Sequence, residues 1–304
     1  MRALVTGGAG FIGSNLVDAL IERGDSVEVV DNLSSGKREN VSERAQLHEL
    51  DVREPLNGVF ADLKPDVCFH LAAQADVRVS IERPDYDAEV NVIGTLRVLE
   101  AAHAAGSRVV FASTGGAIYG ECDAPADESS ERRPLAPYGA AKLAGEEYLL
   151  TYRRLYGMSN VVLRFANVFG PRQDPHGEAG VVAIFLGRLR DAEICNIFGD
   201  GEQERDYVYV GDVVQAALVA AEVEGGVFNV GTGRATSVLE LYELCRKVAG
   251  SGLTPRLSPA RAGELQRSVL DVGKVERELG WRPQTSLEEG LRRTWDWIAH
   301  ADIR

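Results

Sequence analysis

The first 170 residues alternate short apolar segments with longer segments of helical periodicity, and this alternation constrains the fold more than any other feature. Near-continuous apolar strands of this kind are typical of parallel sheets that helices cover on both faces. The sequence therefore predicts an α/β fold with a doubly wound parallel sheet. The predicted strands are Arg2–Thr6, Ser26–Val30, Gln46–Leu50, Val67–His70, Arg108–Ala112 and Asn160–Leu163, and the predicted helices are Ile12–Arg23, Asp87–Ala105 and Tyr138–Tyr156.

The sequence changes character after Pro171, where segments of mixed type replace the regular alternation. A loop over 171–180 precedes a predicted helix over Val181–Leu189, a turn at 199–201, a strand over Tyr207–Val210, a helix over Val213–Glu222, and helical patterns from Asp271 and Leu287. We therefore predict a smaller C-terminal substrate-binding lobe. One domain would contain residues 1–170 and about 211–235, and the other about 171–210 and 236–304.

The chain is acidic, with 33 Lys and Arg against 46 Asp and Glu in 304 residues and a formal net charge of −13. This charge argues against a nucleic-acid partner, because nucleic-acid-binding proteins present basic surfaces. An anionic ligand would have to be held by local cations.

The cysteines, Cys68, Cys122, Cys195 and Cys245, are far apart and form no CxxC pair. This distribution favours reduced thiols over a disulfide framework, and it predicts no metal site. The N-terminal apolar run is too short for a signal peptide, and no apolar stretch of membrane-spanning length occurs. We therefore expect a cytoplasmic protein with no membrane partner.

A glycine-rich segment, TGGAGFIG at 6–13, lies where the first predicted strand passes into the first predicted helix. Gly7, Gly10 and Gly13 give the spacing GxxGxxG, and the missing side chains allow a tight turn and close approach of the backbone to a pyrophosphate. The helix N-terminus adds N–H donors and a positive dipole end. The motif alone also fits a glycine-rich turn without a ligand.

Asp31 favours the ligand-binding alternative. It follows the second predicted strand, where a carboxylate accepts hydrogen bonds from ribose hydroxyls and repels a 2′-phosphate. The two features together predict a Rossmann-type site that prefers NAD to NADP. Lys37 and Arg38 follow, and we interpret them as surface charges.

Tyr138 and Lys142 form the single YxxxK pair of the sequence. Pro137 favours a helix start, which places both side chains on one helical face. A phenol titrates near pH 10, so base chemistry near neutral pH needs a neighbouring cation that favours phenolate. Lys142 and the positive nicotinamide ring together meet that need. The structural alternative is a Tyr–Lys pair on the surface.

These motifs, with others in the same order, make the chain resemble the nucleotide-sugar 4-epimerases of the UDP-glucose (UDP-galactose) type, in the extended short-chain dehydrogenase/reductase superfamily. The likeness covers nearly the whole chain. It is carried by TGGAGFIG at 6–13, HLAA at 70–73, NVIGTL at 91–96, STGGAIYG at 113–120, PYGAAK at 137–142, RFANVFGPR at 164–172, FGDGEQERDYVYVGDV at 198–213, NVGTG at 229–233 and RAGE at 261–264.

The resemblance implies reversible inversion at C4 of a UDP-hexose, through transient oxidation to a 4-keto sugar with tightly bound NAD. The implied catalytic residues are Tyr138 and Lys142, with a hydroxyl from Thr114 or Ser113. The implied NAD-binding residues, in the first domain, are Gly7, Gly10, Phe11, Ile12, Gly13, Asp31, Asn32, Asp51, Val52, Leu71, Ala72, Ala73, Asn91, Tyr138, Lys142 and Phe165. The implied substrate-binding residues are Asn167, Val182, Asn196, Phe198, Arg205, Arg261, Glu264 and Ser268.

The chain departs from the family pattern at Gly115, where a catalytic Ser or Thr is usual, so the proton-relaying hydroxyl has no obvious source. Thr114 is the nearest candidate and Ser113 the next, and direct or water-mediated action of Tyr138 stays open. Glu264 stands where many members have Asp. Ala117 stands where related dehydratases and decarboxylases place acidic groups, which argues against dehydration.

The alternatives are another NAD-dependent nucleotide-sugar enzyme (a UDP-glucuronate 4-epimerase, a 4,6-dehydratase or a reductase) and a non-catalytic NAD-binding protein. Within the 4-epimerases, a bulky Tyr at the position of Ser268 excludes N-acetyl groups. The small Ser268 therefore predicts that UDP-GlcNAc and UDP-GalNAc are accepted beside UDP-glucose and UDP-galactose. The resemblance also implies a homodimer, in which the helices at 87–105 and 137–155 pack against their copies.

Overall fold

The predicted alternation of strands and helices is present in the structure, a computed structural model that describes residues 1–175, 180–261 and 265–300. The strands are β1 (Arg2–Thr6), β2 (Ser26–Asp31), β3 (Gln46–Glu49), β4 (Val67–His70), β5 (Arg108–Thr114), β6 (Val161–Phe165), β7 (Asn167–Phe169), β8 (Asn196–Phe198), β9 (Glu204–Arg205), β10 (Tyr207–Tyr209), β11 (Gly226–Val230), β12 (Thr236–Ser237), β13 (Arg256–Ser258) and β14 (Arg267–Ser268). The helices are α1 (Phe11–Arg23), α2 (Asn57–Leu63), α3 (Val77–Glu82), α4 (Pro84–Ala88), α5 (Gly94–Ala105), α6 (Gly115–Ile118), α7 (Pro137–Tyr156), α8 (Val181–Arg190), α9 (Val210–Ala220), α10 (Val238–Val248), α11 (Gly273–Leu279) and α12 (Leu287–His300).

Seven strands form the central sheet, in the order β11-β6-β5-β4-β1-β2-β3. The pairs β1–β2, β1–β4, β2–β3 and β4–β5 are all parallel. The chain moves outward from β1 first in one direction and then in the other, so the strand order reverses between β1 and β4. This is the topology of a doubly wound sheet, and the predicted Rossmann-type α/β fold is confirmed.

The six strands predicted in the first 170 residues all lie in this sheet, and most of them are apolar runs that stay buried when helices cover both faces. In β1, for example, every residue after Arg2 is buried. The edge strand β3 is the exception, since none of its residues is fully buried. β11 is an addition that the sequence did not predict. It joins the sheet beside β6 and comes from a segment more than 60 residues later in the chain.

The helix predicted over Asp87–Ala105 has three parts. α4 ends at Ala88, a π-helical turn covers Glu89–Ile93, and α5 begins at Gly94. Widened turns of this kind are typical of functional sites. Here the Thr95 hydroxyl, in the first turn of α5, donates a hydrogen bond of 2.7 Å to the carbonyl oxygen of Asn91. Asn91, which belongs to the π-helical turn, is 1% exposed.

The chain divides into two compact units. The first comprises Met1–Ile118, Pro134–Arg164 and Val214–Phe228, and the second comprises Tyr119–Arg133, Phe165–Val213 and Asn229–Arg304. Each has an apolar core of its own. The first core gathers side chains such as Leu4, Phe60, Phe111 and Leu149, and the second gathers Phe169, Phe185, Leu241 and Ile298.

Among the described residues, no helix combines the length and apolar character needed to cross a membrane.

Candidate active site

The glycine-rich turn joins β1 to α1 through Gly7, whose φ of 73° lies in the left-handed region. A Cβ atom on Gly7 would lie 2.6 Å from the Ala72 backbone nitrogen, and one on Gly13 would overlap the Gly7 carbonyl oxygen. Both positions therefore require glycine. α1 begins at Phe11 with Gly10 as its N-cap, so the N–H groups of its first turn face a cradle of bare backbone. A pyrophosphate suits that cradle in shape and charge.

Asp31, at the end of β2, holds this turn in place. Its Oδ2 accepts a hydrogen bond of 3.0 Å from the Ala9 backbone nitrogen, and its Oδ1 accepts one of 2.8 Å from the Leu33 nitrogen. The side chain is 8% exposed. Carboxylate oxygens have more lone pairs than these two bonds use, so Asp31 keeps acceptor capacity for ribose hydroxyls.

Asn32 and Asp51 lie side by side after neighbouring strands. The Asn32 amide donates to Asp51 Oδ2 at 2.9 Å, and Arg53 forms an ion pair with the same oxygen at 2.8 Å. Hydrogen bonds from Arg53 hold the pKa of Asp51 well below its usual range. Asp51 is therefore an ionised acceptor. The adjacent Val52 is buried, and its Cγ2 would lie 2.8 Å from a Cβ atom placed on Gly94.

A buried hydrogen-bond chain fixes the loop after β4, which carries Leu71, Ala72 and Ala73. The Ala72 nitrogen donates to Thr6 Oγ1 at 3.3 Å, and the same oxygen lies 2.7 Å from His70 Nδ1. On the other side, His70 Nε2 lies 3.0 Å from Thr95 Oγ1. Because the Thr95 hydroxyl proton is used on the Asn91 carbonyl, Thr95 accepts from His70. His70 therefore carries a proton on Nε2, and burial keeps the imidazole neutral by lowering its pKa.

This neutral histidine makes the stability of the protein depend on pH. Burial lowers the pKa of His70 to about 3, with a smaller effect from Lys142, whereas an unfolded histidine titrates near 6.5. Below that value the unfolded chain binds a proton that the folded chain rejects, so the contribution of His70 to stability should fall by about 1.4 kcal/mol per pH unit as the pH decreases from 6.5 toward 3. Urea unfolding at several pH values should show this slope reduced by about one proton in His70→Gln. Parallel curves for the two proteins would contradict the prediction.

The Asn91 side chain is occupied within the protein. Its Nδ2 donates to the Gln74 carbonyl oxygen at 2.8 Å and to Asp87 Oδ1 at 2.9 Å, and its Oδ1 accepts from the Gln74 nitrogen at 3.0 Å. Both amide protons are thus used. Asn91 therefore holds the loop at Gln74, and its Oδ1 keeps a second lone pair that can accept from a ligand.

Tyr138 and Lys142 lie on the first turns of α7, which begins at Pro137 as predicted. Lys142 is 3% exposed, its Nζ donates to the Ala112 carbonyl oxygen at 2.9 Å, and it lies 4.7 Å from the centre of the Phe111 ring. Burial lowers the pKa of Lys142 to about 8, and the carboxylates of Asp87 and Glu146 oppose that change. A lysine buried in this way is not part of a surface pair, which removes the structural alternative.

Ser113 belongs to a buried cluster that the sequence did not reveal. Its hydroxyl donates to Glu146 Oε1 at 2.5 Å, and Glu146 forms a bidentate ion pair with Arg164 through contacts of 2.6 to 3.2 Å. Glu146 and Arg164 are 0% and 2% exposed. The Ser113 proton is therefore committed to Glu146. Thr114 ends β5 in a partly exposed position directly before Gly115.

Glu146 and Arg164 did leave a signal in the sequence. Glu146 lies four residues after Lys142, on the same face of α7. Arg164 is the one charge in the otherwise apolar strand VVLRF, and a charge inside a buried strand requires a buried partner.

The second unit brings several of the predicted substrate residues together around Asp206. The Asp206 carboxylate accepts hydrogen bonds of 2.6 to 3.0 Å from residues 232–233. Its backbone nitrogen donates to Ser268 and its carbonyl oxygen accepts from Asn167. β9 and β14 pair in parallel with Arg205 opposite Ser268. Asn167, Arg205 and Ser268 are therefore neighbours, and Asp206, which the sequence analysis did not single out, fixes their backbone.

Phe198 and Arg261 form a second group in the same unit. The Arg261 guanidinium carbon lies 3.8 Å from the centre of the Phe198 ring, and Asn196 begins the strand that Phe198 ends. Val182, in contrast, is 1% exposed within the second apolar core. Glu264, also predicted to bind substrate, lies outside the described residues. No cluster of His, Cys, Asp or Glu that could hold a metal ion occurs in the described ranges.

A dinucleotide cradle at the first crossover, with a tyrosine and a buried lysine at the start of α7, defines a nicotinamide-dependent enzyme of the short-chain dehydrogenase/reductase class. Comparison with known proteins narrows the class further. The model of the NAD dependent epimerase/dehydratase family matches residues 3–231. The chain therefore belongs to that family.

Three similar proteins share one name. A UDP-glucose 4-epimerase of Mycolicibacterium smegmatis is 48% identical over 304 residues, covering 97% of each chain. The solved UDP-glucose 4-epimerase of Thermotoga maritima with UDP-glucose is 49% identical, with a TM-score of 0.96 and 98% coverage of both chains. The UDP-glucose 4-epimerase of Thermus thermophilus in complex with NAD is 46% identical, with a TM-score of 0.93 and coverage of 99% of this chain and 100% of that one.

Proposed function

We propose that the protein catalyses the reversible inversion at C4 of a UDP-hexose, and that UDP-glucose and UDP-galactose are its substrates. The observation that carries the proposal is Lys142, which is buried one helical turn after Tyr138. That spacing puts a buried cation and a phenol on the same face of α7. The similar proteins named above add support, because they are UDP-glucose 4-epimerases and the match covers nearly their full length.

The first unit has the features that an NAD site needs. Gly7 and Gly13 leave a cradle that a Cβ atom would fill, the N-terminus of α1 opens onto it, and Asp31 stands at the end of β2. We propose that these residues hold the cofactor, together with Gly10, Phe11, Ile12, Asn32, Asp51, Val52, Leu71, Ala72, Ala73, Asn91, Tyr138, Lys142 and Phe165. When bound, NAD accepts a hydride from C4 and returns it.

The residues of the chain supply the proton chemistry. Tyr138, as phenolate, takes the proton of the 4-hydroxyl during oxidation and returns it during reduction. Lys142 stabilises the phenolate by its charge. Since Ser113 is committed to Glu146, Thr114 is the better candidate for a relaying hydroxyl. Inversion requires that the 4-keto sugar present its opposite face before reduction.

The second unit would hold the nucleotide and diphosphate. Arg205 and Arg261 are the candidates for the diphosphate, because guanidinium groups bind phosphate oxygens in a bidentate manner even in an acidic protein. Asn167, Val182, Asn196, Phe198 and Ser268 complete the proposed site, and Glu264 stays a sequence-based candidate.

Ala117 favours epimerisation over the alternative reactions of this scaffold. It lies in α6, directly after β5, where a dehydratase or decarboxylase of similar sequence has acidic groups. A methyl group can neither give nor take a proton at C5 or C6. Oxidation and reduction at C4 alone fit these residues best.

Three further expectations belong to this proposal. Ser268 is a small side chain opposite Arg205, which supports acceptance of UDP-GlcNAc and UDP-GalNAc.

Exposed apolar side chains on Ile93 and on Tyr148 and Leu155 of α7 support a homodimer. For the subcellular location, our prediction is still the cytoplasm.

Product analysis tests the function. Purified protein is incubated with each of UDP-glucose, UDP-galactose, UDP-GlcNAc, UDP-GalNAc and UDP-glucuronate without added cofactor, and the sugars are analysed by proton NMR. We expect interconversion of the glucose and galactose forms, and of the N-acetylated pair, with no net change of NADH absorbance. Stoichiometric NADH consumption or a 4-keto-6-deoxy product would indicate a reductase or a dehydratase. Inversion of the glucuronate alone would redirect the assignment to a uronate epimerase.

A further inference from the structure

Asp87 is a buried acid that the proposed mechanism does not use. It is 1% exposed and lies on α4, which packs against α7, the helix of Lys142. Its Oδ1 accepts hydrogen bonds from Gln74 Nε2 at 2.8 Å and from Asn91 Nδ2 at 2.9 Å. Its Oδ2 is buried and has no hydrogen-bond partner in the part of the chain that the structure describes. Buried carboxylate oxygens are rarely left in this way, so the atom needs an explanation.

The charges around Lys142 explain why Asp87 is buried with an unpartnered oxygen. Glu146, on the same helix, is fully engaged in its bidentate pair with Arg164 of β6, and these two charges largely cancel. His70, from β4, is neutral. Within the described part of the chain, the Lys142 ammonium contacts a carbonyl oxygen and an aromatic ring, and neither carries a net charge. Of the two described acids whose charges act on Lys142, Asp87 is the one without an ion-pair partner, and a buried ammonium is costly without an opposite charge.

The titration behaviour of the two groups agrees with this pairing. Burial lowers the pKa of Lys142, and the charge of Asp87 opposes the decrease more strongly than that of Glu146. Burial raises the pKa of Asp87, and the bonds from Gln74 and Asn91 and the charge of Lys142 oppose the increase. Each ion thus favours the charged form of the other.

We propose that Asp87 is a positioning residue that acts as the counter-charge of Lys142 and keeps this lysine protonated in the working enzyme. Through the lysine, Asp87 supports the phenolate of Tyr138. Only this last step rests on the proposed function. The charge coupling between Asp87 and Lys142 belongs to the folded protein, whatever reaction it catalyses.

NMR can measure the coupling directly. The chain has five lysines, Lys37, Lys64, Lys142, Lys247 and Lys274, so a sample labelled with ¹³C at the lysine ε-carbon gives few signals. The signal of Lys142 is the one missing from the Lys142→Met spectrum. In the NAD-loaded protein, Asp87→Asn keeps the shape and the Oδ1 acceptor but removes the charge, and we expect Lys142 to titrate about one pH unit lower or more. The matched control is Asp85→Asn, which changes an exposed acid on the same helix and should leave the titration unchanged.

The same variants give an independent kinetic readout. If turnover requires a protonated Lys142, the alkaline limb of the pH profile of kcat should move to lower pH in Asp87→Asn. The size of this movement should equal the shift in the NMR titration. A merely structural role would lower kcat at every pH without moving the limb. An unchanged Lys142 titration in folded Asp87→Asn would overturn the proposal. A shifted titration in a protein whose wild type does not epimerise sugars would leave the coupling intact and refute the proposed function instead.

A second variant covers the case in which Asp87→Asn does not fold. In Lys142→Met, the loss of the cation should raise the pKa of Asp87 further, because the charge of Lys142 opposes the effect of burial. In infrared spectra recorded over a range of pH, the carboxylic acid band of Asp87 should then persist to a higher pH than in the wild type. An unchanged pH dependence of this band would count against the pairing.

Discussion

Replacing Tyr138 with phenylalanine should lower kcat for the interconversion of UDP-glucose and UDP-galactose by about a thousandfold, while NAD stays bound. The substitution removes only the phenolic oxygen that is proposed to take and return the proton of the 4-hydroxyl. A positioned acid–base group contributes a factor of about 10² to 10⁴. Turnover is measured by a coupled assay, and bound NAD by chromatography after the protein is denatured.

Tyr156→Phe is the matched control for this experiment. Tyr156 is the last residue of the same helix and is 53% exposed, and its ring stacks on His103. The variant keeps the ring and loses the hydroxyl, so its kcat should equal that of the wild type. A Tyr138→Phe enzyme within tenfold of the wild type would show that another group moves the proton. A variant without bound NAD would show instead that Tyr138 acts mainly in cofactor binding.

The sheet and the start of α7 could be predicted because their signals are local. Most of the predicted strands are short, largely apolar runs, and Pro137 marks the helix that carries Tyr138 and Lys142. β11 escaped prediction because Asn229 interrupts its apolar pattern. In the folded chain that side chain is buried, and it donates to the Ala126 carbonyl oxygen at 2.8 Å and accepts from Tyr119 at the same distance. Partners this far away cannot be recognised from periodicity.

α10 was missed although its signal was present. Ser237 is the N-cap, and its hydroxyl accepts a hydrogen bond of 3.1 Å from the Glu240 nitrogen. A serine followed three residues later by glutamate is the pattern of a capping box, which marks a helix start. Such a signal is local, so the sequence alone is enough to predict the start of this helix.

The buried polar groups of the site could not be predicted from local signals in the sequence. Asp87, Glu146 and Asp206 each bind groups at least four residues away, and their partners come from other elements. A sequence indicates that such residues are polar, but it does not indicate whether they face solvent or the core. The resemblance to a family named residues thought to touch the ligands. The structure adds the residues that hold those in place.

The buried pair of Arg164 and Glu146 should have the largest effect on stability. Arg164→Met removes the cation and leaves the Glu146 charge in a site that is 0% exposed. Breaking one half of a buried pair typically costs about 3–5 kcal/mol, because the remaining charge has no partner. Urea unfolding near neutral pH should show a loss of this size in the free energy of unfolding. Glu243→Ala, which breaks a surface pair with Arg246 at 2.6 Å, should cost at most about 1 kcal/mol.

The double variant Arg164→Met/Glu146→Leu separates loss of packing from an uncompensated charge. Well-packed apolar replacements of a buried pair are often neutral or stabilising, so the double variant should recover most of the stability that Arg164→Met loses. Recovery would be limited mainly by the Ser113 hydroxyl, which loses its acceptor Glu146. If the double variant is less stable than Arg164→Met, the pair contributes chiefly through packing and hydrogen bonds. The charge-based explanation would then be wrong.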